Sequence, residues 1–119
     1  MTTARLRITH AGPHVSYQDG GRPGLMRFGV PASGPMDRTA HAAANLAVGN
    51  PAGATAIEVS PAGLAVECVE GQVTFTVAGG GFLMDHAGTR GGVWETRTLR
   101  AGETLRIMRG HWGSWTYLA

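Results

Sequence analysis

Apolar and polar positions alternate with a period of two through most of this chain. In residues 4–9, ARLRIT, Leu6 and Ile8 fall on one face and Arg5 and Arg7 on the other, the pattern of a half-buried strand. Similar short runs occur at 14–18, 54–60, 63–69, 72–78, 81–84, 103–108 and 114–118, and the apolar piece 25–30 reads as a further strand or extended segment. Glycine turns separate them at 71, 79–81, 88–92, 102 and 110–113, and Arg100–Glu103 reads as a turn into the strand that follows. Many short strands at this spacing predict a mainly β protein, a barrel or a sandwich. The last run reaches the final residue. As an edge it would expose ladder groups, so either something covers it or the chain is part of a longer one.

One segment follows a different period. From Arg38 to Val48, residues Ala40, Ala43, Ala44, Ala47 and Val48 recur at helical spacing, which predicts one short helix at about 37–48. Asp37 stands at its N-cap position. Gly49-Asn50-Pro51 supplies the stop. The alanine stripe allows close packing on a sheet, and Arg38, His41 and Asn45 share another face.

The stretch 15–58 carries most of the polar residues in unusual settings. Five glycines, at 20, 21, 24, 29 and 34, fall within fifteen positions. Such density requires positive φ or close backbone approach, either for tight turns alone or for a site on loops held by a rigid scaffold. Pro23 and Gly24 constrain the turn that displays Arg22.

Composition narrows the possibilities. The 119 residues suggest one domain, 1–119; 43% are apolar and 15% charged, which argues against disorder. Lysine is absent, and the ten arginines form no run or basic helix, so no nucleic-acid footprint is expected. Cys68 is the sole cysteine. No intrachain disulfide can form, and Val66 and Val69 beside it suggest a buried, inert thiol. The N-terminus has no signal-peptide core, and no apolar run approaches the roughly 20 residues of a membrane helix. A soluble, cytoplasmic protein with no membrane contact is expected.

Candidate chemistry is limited. No HExxH or CxxC spacing exists, Asp85-His86 and His111 fall in expected loops, and no metal site is expected. GGGF at 79–82 has neither the spacing nor the lysine of a phosphate loop. Ser33 in PASGP is not a nucleophile elbow; it makes a turn bond or contacts a ligand. Asp37 is a helix cap, a site carboxylate, or both. Arg22 is the best anion holder, since a guanidinium fork matches a carboxylate. Glu58, within the apolar run AIEV, must be paired or hydrogen-bonded. Arg22 and backbone amides are both possible partners.

Several motifs occur in order: Q-D-x-G-R-x-G at 18–24, F-G-V-P at 28–31, S-G-x-M-D at 33–37, A-N-L-x-V-G-N-P at 44–51, A-x-E at 56–58, and a closing G-x-x-x-Y-L-A at 113–119. Together they resemble the opening of the biotin-dependent carboxyltransferase family, which includes allophanate hydrolase subunit 2 and the C subunit of 5-oxoprolinase. The resemblance implies a partial cyclophilin-like β-barrel. It implies a component of an ATP-dependent hydrolase complex, inactive alone, that opens 5-oxoproline to glutamate with related B-like and A-like subunits of 5-oxoprolinase. It leaves two alternatives: the carboxyltransferase component of a biotin-dependent urea carboxylase, or a truncated, non-catalytic binding or regulatory module. No cofactor is expected on this chain; ATP would be used by the complex, and biotin would enter only in the urea reading. Matched to motif positions, Asp37, Glu58 and Asn45 are catalytic candidates, and Gln18, Asp19, Arg22 and Ser33 are substrate-binding candidates. In that account Gln18 and Asn45 donate to an oxyanion and Asp37 or Glu58 accepts a proton.

Overall fold

The computed structural model describes residues 3–119. It contains two five-stranded antiparallel sheets and one α-helix. The first sheet takes the order β1 (Arg5–Ala11), β4 (Leu64–Glu70), β9 (Thr104–Met108), β6 (Leu83–His86), β7 (Thr89–Gly92). The second runs β2 (Ser16–Gln18), β3 (Ala56–Val59), β10 (Thr116–Leu118), β5 (Gln72–Ala78), β8 (Glu95–Arg100). The ladders do not close into one barrel, because each sheet keeps two edge strands among the described residues. Among those residues no helix is long and apolar enough to cross a membrane.

The alternation read from the sequence is the alternation observed. On β9, Leu105 and Ile107 are buried while Thr104 and Arg106 face outward. On β5, Phe75 and Val77 point into the core between the sheets. Thr74 and Thr76 face the other way and meet Thr98 and Thr96 of β8 across the ladder. Cys68 is fully buried in the same core, its Sγ 3.4 Å from the Glu70 carbonyl.

Several expectations need correction. Residues 25–30 do not form a strand. Gly24 and Gly29, at φ 85° and 77°, bracket a single 3-10 turn at Met26–Phe28, and Val30 N–H folds back to the Leu25 carbonyl. The glycines at 88–92 are only partly a turn. Ala87 and Gly88, both at positive φ, form a two-residue hairpin between His86 and Thr89. Gly91 and Gly92 then continue as strand, and Asp85 and His86, expected in a loop, lie on β6. Strand β8 is absent from the sequence pattern because ETRTLR buries only Leu99.

The last strand, β10, is not an edge. It lies between β3 and β5, and Ala119 exchanges backbone hydrogen bonds with Thr76. In the first sheet the edges are β1 and β7, and β1 is blunted by two register shifts and by ion pairs from Arg5 to Glu70 and Arg7 to Glu67.

The helix α1 (Arg38–Ala47) starts at the expected cap, with the Asp37 carboxylate accepting Ala40 N–H at 3.0 Å. Its buried face is rotated from the alanine stripe. Ala40, His41, Ala44 and Asn45 are buried, whereas Ala47 is not. Ala40 and Ala44 pack on Ala78 and Tyr117, on the outer face of the second sheet. Two of the three polar residues expected on a separate face, His41 and Asn45, are therefore inside, while Arg38 stays exposed, and all three serve the site described next.

Candidate functional site

Strand β2 ends at Gln18 and runs directly into the glycine loop. The Asp19 carboxylate turns that loop by accepting Gly21 N–H at 2.9 Å. Gly21 takes φ 80°, and a Cβ there would lie 2.5 Å from the Ala32 carbonyl oxygen and 2.8 Å from that of Ser33. Only glycine allows this approach. Arg22 N–H then bonds the Ala32 carbonyl at 2.6 Å, joining the loop to the segment at 32–34. Ser33 itself sits at φ 55°, uncommon for a residue with a side chain.

These turns shape a polar cleft of about 260 Å³, lined by Tyr17, Gln18, Asp19, Arg22, Ser33, Gly34 and Thr55. All four expected substrate-binding residues, Gln18, Asp19, Arg22 and Ser33, are thus brought together. Arg22 is exposed and, among the described residues, takes part in no ion pair. Its guanidinium is available to an anion. Gln18 is steadied by its amide, which donates to Ser16 Oγ at 3.0 Å.

The other three expected residues lie behind the cleft. Glu58 is buried on β3, and its Oε2 accepts Met36 N–H and the Tyr117 hydroxyl, both at 2.8 Å. Of the partners open to it from sequence, the structure chooses a backbone amide, not Arg22. The Tyr117 oxygen in turn accepts Asp37 N–H at 2.8 Å. Desolvation, the larger cause, and the adjacent Glu58 carboxylate push the Tyr117 phenol well above its ordinary range, so it remains a donor to Glu58. Asp37 is exposed and caps α1. Asn45 is fully buried, and its amide donates to the carbonyls of Ala52 at 3.3 Å and Ala54 at 2.8 Å. It clasps the turn at 50–54, whose Gly53 carbonyl accepts Gly20 N–H at 3.1 Å.

Three residues that are not site candidates in the sequence shape the cleft. Arg38, at the first position of α1, donates to the carbonyls of Gly20, at 3.1 Å, and Ser33, stapling the two loops. His41 Nε2 lies 2.8 Å from the Gln18 carbonyl. A carbonyl only accepts, so Nε2 carries the proton. The His41 ring also meets Tyr117 edge-on, with centroids 5.5 Å apart. Tyr117 has one sequence signal, its place in the closing G-x-x-x-Y-L-A motif. The spacing of Arg38 and His41 from the cap gives no hint of loops distant in sequence.

A second cavity, apolar and about 220 Å³, lies between the sheets and shares Tyr17 and Thr55 with the polar cleft. Its remaining walls are mostly carbon, including Phe75, Leu105 and Leu118. Among the described residues no group of three or more His, Cys, Asp or Glu side chains is placed to hold a metal ion.

Comparison with known proteins gives this arrangement a family. The model for the carboxyltransferase domain, subdomain A and B, matches residues 28–119. The chain belongs to that family. Within it, the chain is 36% identical over 115 residues to the C subunit of Escherichia coli 5-oxoprolinase, covering 96% of this chain and 36% of that protein. It is 35% identical over 116 residues to urea amidolyase of Saccharomyces cerevisiae, covering 95% of this chain and 6% of that one. Among solved structures, TTHA0988 superposes with a TM-score of 0.89 at 30% identity, over 98% of this chain and 23% of that chain. The Kluyveromyces lactis urea amidolyase does so with a TM-score of 0.89 at 28% identity, over 99% and 7%. This carboxyltransferase-family chain therefore spans about a third of the length of the Escherichia coli protein it matches. The family resemblance carried by the ordered motifs holds, and so does the mainly β fold.

Proposed function

We propose that this chain forms an anion-holding wall of the active site in an ATP-dependent 5-oxoprolinase, which opens 5-oxoproline to glutamate together with B-like and A-like subunits. The observation that carries this reading is the exposed, unpaired Arg22 in a cleft with Gln18, Asp19 and Ser33. 5-Oxoproline is a small carboxylate with a lactam. Arg22 holds the carboxylate in two parallel hydrogen bonds. Gln18 and Ser33 orient the ring by donating to the lactam oxygen. Asp19 is the carboxylate among the cleft's lining residues, with one oxygen engaged by Gly21 N–H; it accepts the proton of the attacking water and passes it to the lactam nitrogen as the ring C–N bond breaks. Asn45 and Glu58 move from chemistry to support in this account, because their polar atoms hold backbone and Tyr117. Asp37 supports the helix entry. ATP is used elsewhere in the complex.

Two relatives named as C subunits of 5-oxoprolinase support this reading, one from Escherichia coli and one, 34% identical, from Haemophilus influenzae. The likeness to urea amidolyase keeps carboxyl transfer from biotin to urea as the second reading. Carboxybiotin carries a carboxylate as 5-oxoproline does, so Arg22 fits both readings; the two relatives named as C subunits of 5-oxoprolinase favour the first. The test is turnover of 5-oxoproline by the complex reconstituted with its partner chains. Arg22→Ala should abolish turnover and leave the thermal transition unchanged. An unchanged rate sinks the role of Arg22, and biotin- and urea-dependent activity in its place would support the second reading.

A further inference from the structure

We infer that His41 and Tyr117 are positioning residues that set the two walls of the cleft from beneath it. Neither side chain lines the cleft, and both are buried, at 2% and 0% exposure. Each bonds one wall. His41 donates from Nε2 to the Gln18 carbonyl at 2.8 Å, at the point where β2 becomes the glycine loop bearing Arg22. Tyr117 accepts Asp37 N–H and donates to Glu58, and Glu58 also holds Met36 N–H. That pair fixes the end of the 33–37 segment. The two aromatic rings meet edge-on, with centroids 5.5 Å apart, and this contact links the supports of the two walls beneath the Arg22–Ala32 bond and the Arg38 staple that join them above. Without these bonds the amides of Met36 and Asp37 lose their protein acceptors, and the Gln18 carbonyl loses the side-chain donor that meets it where β2 ends. Neither loop has regular secondary structure, and their other ties are the backbone bonds from Gly20 N–H to Gly53 and from Arg22 N–H to Ala32 and the Arg38 staple. Helix α1 is thus a bracket: its outer residue Arg38 staples the loops from above, and His41, one turn on, holds them from below.

For ligand binding this inference rests on the reading of the cleft as a carboxylate site. The test therefore has one readout that needs no ligand. Amide hydrogen exchange would be measured on the purified protein and on His41→Leu, His41→Gln and Tyr117→Phe. A glutamine places an amide nitrogen near the position of Nε2 and can donate to the same carbonyl. In His41→Leu, the amides of Gly20, Gly21 and Arg22 should exchange about tenfold faster, the effect of losing one buried hydrogen bond. The amides of β4 and β9 should keep their rates. His41→Gln should restore the loop, and Tyr117→Phe should act on Asp37, whose amide it leaves without its acceptor. Unchanged loop exchange, or a uniform rise that includes β4 and β9, would overturn the inference.

Binding of 5-oxoproline by calorimetry is the second readout, with Arg22→Ala as the control. Weaker binding by His41→Leu, about tenfold, with recovery by His41→Gln, supports positioning. If Arg22→Ala loses binding while His41→Leu and Tyr117→Phe keep wild-type affinity, positioning fails and the carboxylate reading stands. If Arg22→Ala binds as wild type, or wild type does not bind, the carboxylate reading fails, and the exchange rates alone decide whether these residues set the loops.

Discussion

The Tyr117 hydroxyl lies 2.8 Å from Glu58 Oε2, and the two residues sit on neighbouring strands, opposite one another in the β10–β3 register. Both are buried beneath α1. A carboxylate in that position needs donors, and it has two, the phenol and Met36 N–H. Removing the phenol leaves Glu58 with one donor and Asp37 N–H with none. Tyr117→Phe should therefore destabilise by about 1–3 kcal/mol, the cost of orphaned buried polar groups. Urea unfolding of the two proteins checks this.

The same pair predicts an alkaline limb. Tyr117 titrates in the fold well above its ordinary value of 10.0. The unfolded chain then releases the phenolic proton first, and it binds fewer protons than the native state. The Tyr117 contribution is fully present below pH 10.0 and declines as pH rises toward the folded value. Wild type should lose stability faster than Tyr117→Phe above that pH. Parallel melting curves at rising alkaline pH measure the difference, and coincident slopes would contradict it.

Gly21 and Gly24 make a paired test of the loop. Both take positive φ, 80° and 85°, so alanine at either is strained. At Gly24 a Cβ meets nothing within 4 Å, and Gly24→Ala should cost only about 1–2 kcal/mol, the left-handed penalty. At Gly21 it would stand 2.5 Å from the Ala32 carbonyl oxygen, so the two cleft segments must part. Gly21→Ala should destabilise more than Gly24→Ala and, on the proposed reading of the cleft as a 5-oxoproline site, should also remove 5-oxoproline binding, which Gly24→Ala should retain. Thermal melts and calorimetry on the two variants decide it.

Most strands are legible in the sequence because they alternate between core and solvent. Leu105 and Ile107 against Thr104 and Arg106 leave little choice of period. Strand β8 is not legible, because its outward threonines and arginines and its single buried leucine give no apolar alternation. The 3-10 turn at Met26–Phe28 reads as a strand because its apolar residues are exposed on a loop rather than packed on a sheet. In the site, Gln18, Asp19, Arg22 and Ser33 can be named because each matches a position of the ordered family motifs, and Arg22 also stands on a turn constrained by Pro23 and Gly24. The roles of His41 and Tyr117 depend on pairings across 23 and 59 positions, set by the docking of α1, which no local pattern encodes.

An acid limb should come from the other end of the molecule. Glu103 Oε2 accepts Arg100 N–H at 2.9 Å and lies 3.0 Å from His86 Nε2. The backbone bond first, and His86 second, hold its carboxyl below the ordinary 4.5. The stability this gives is present above pH 4.5 and is lost as pH falls through the folded value. Glu103→Gln should flatten the decline in melting temperature below that pH while changing little near neutrality. An unchanged acid slope would show that the pair contributes nothing to it.

Arg38 separates charge from shape. Its guanidinium reaches two carbonyls, those of Gly20 and Ser33, on loops that are both needed to form the cleft. A lysine keeps the charge but offers a compact ammonium, which cannot span two acceptors as a planar fork does. On the proposed 5-oxoprolinase reading, if Arg38 acts by stapling, Arg38→Lys should resemble Arg38→Ala, each lowering 5-oxoproline turnover by the reconstituted complex about tenfold through a raised KM, with kcat less affected. If the charge alone mattered, by drawing in an anionic substrate, Arg38→Lys would retain wild-type KM, and added salt would raise KM in wild type and lysine variant alike. Steady-state kinetics of the three proteins at two salt concentrations distinguish these outcomes.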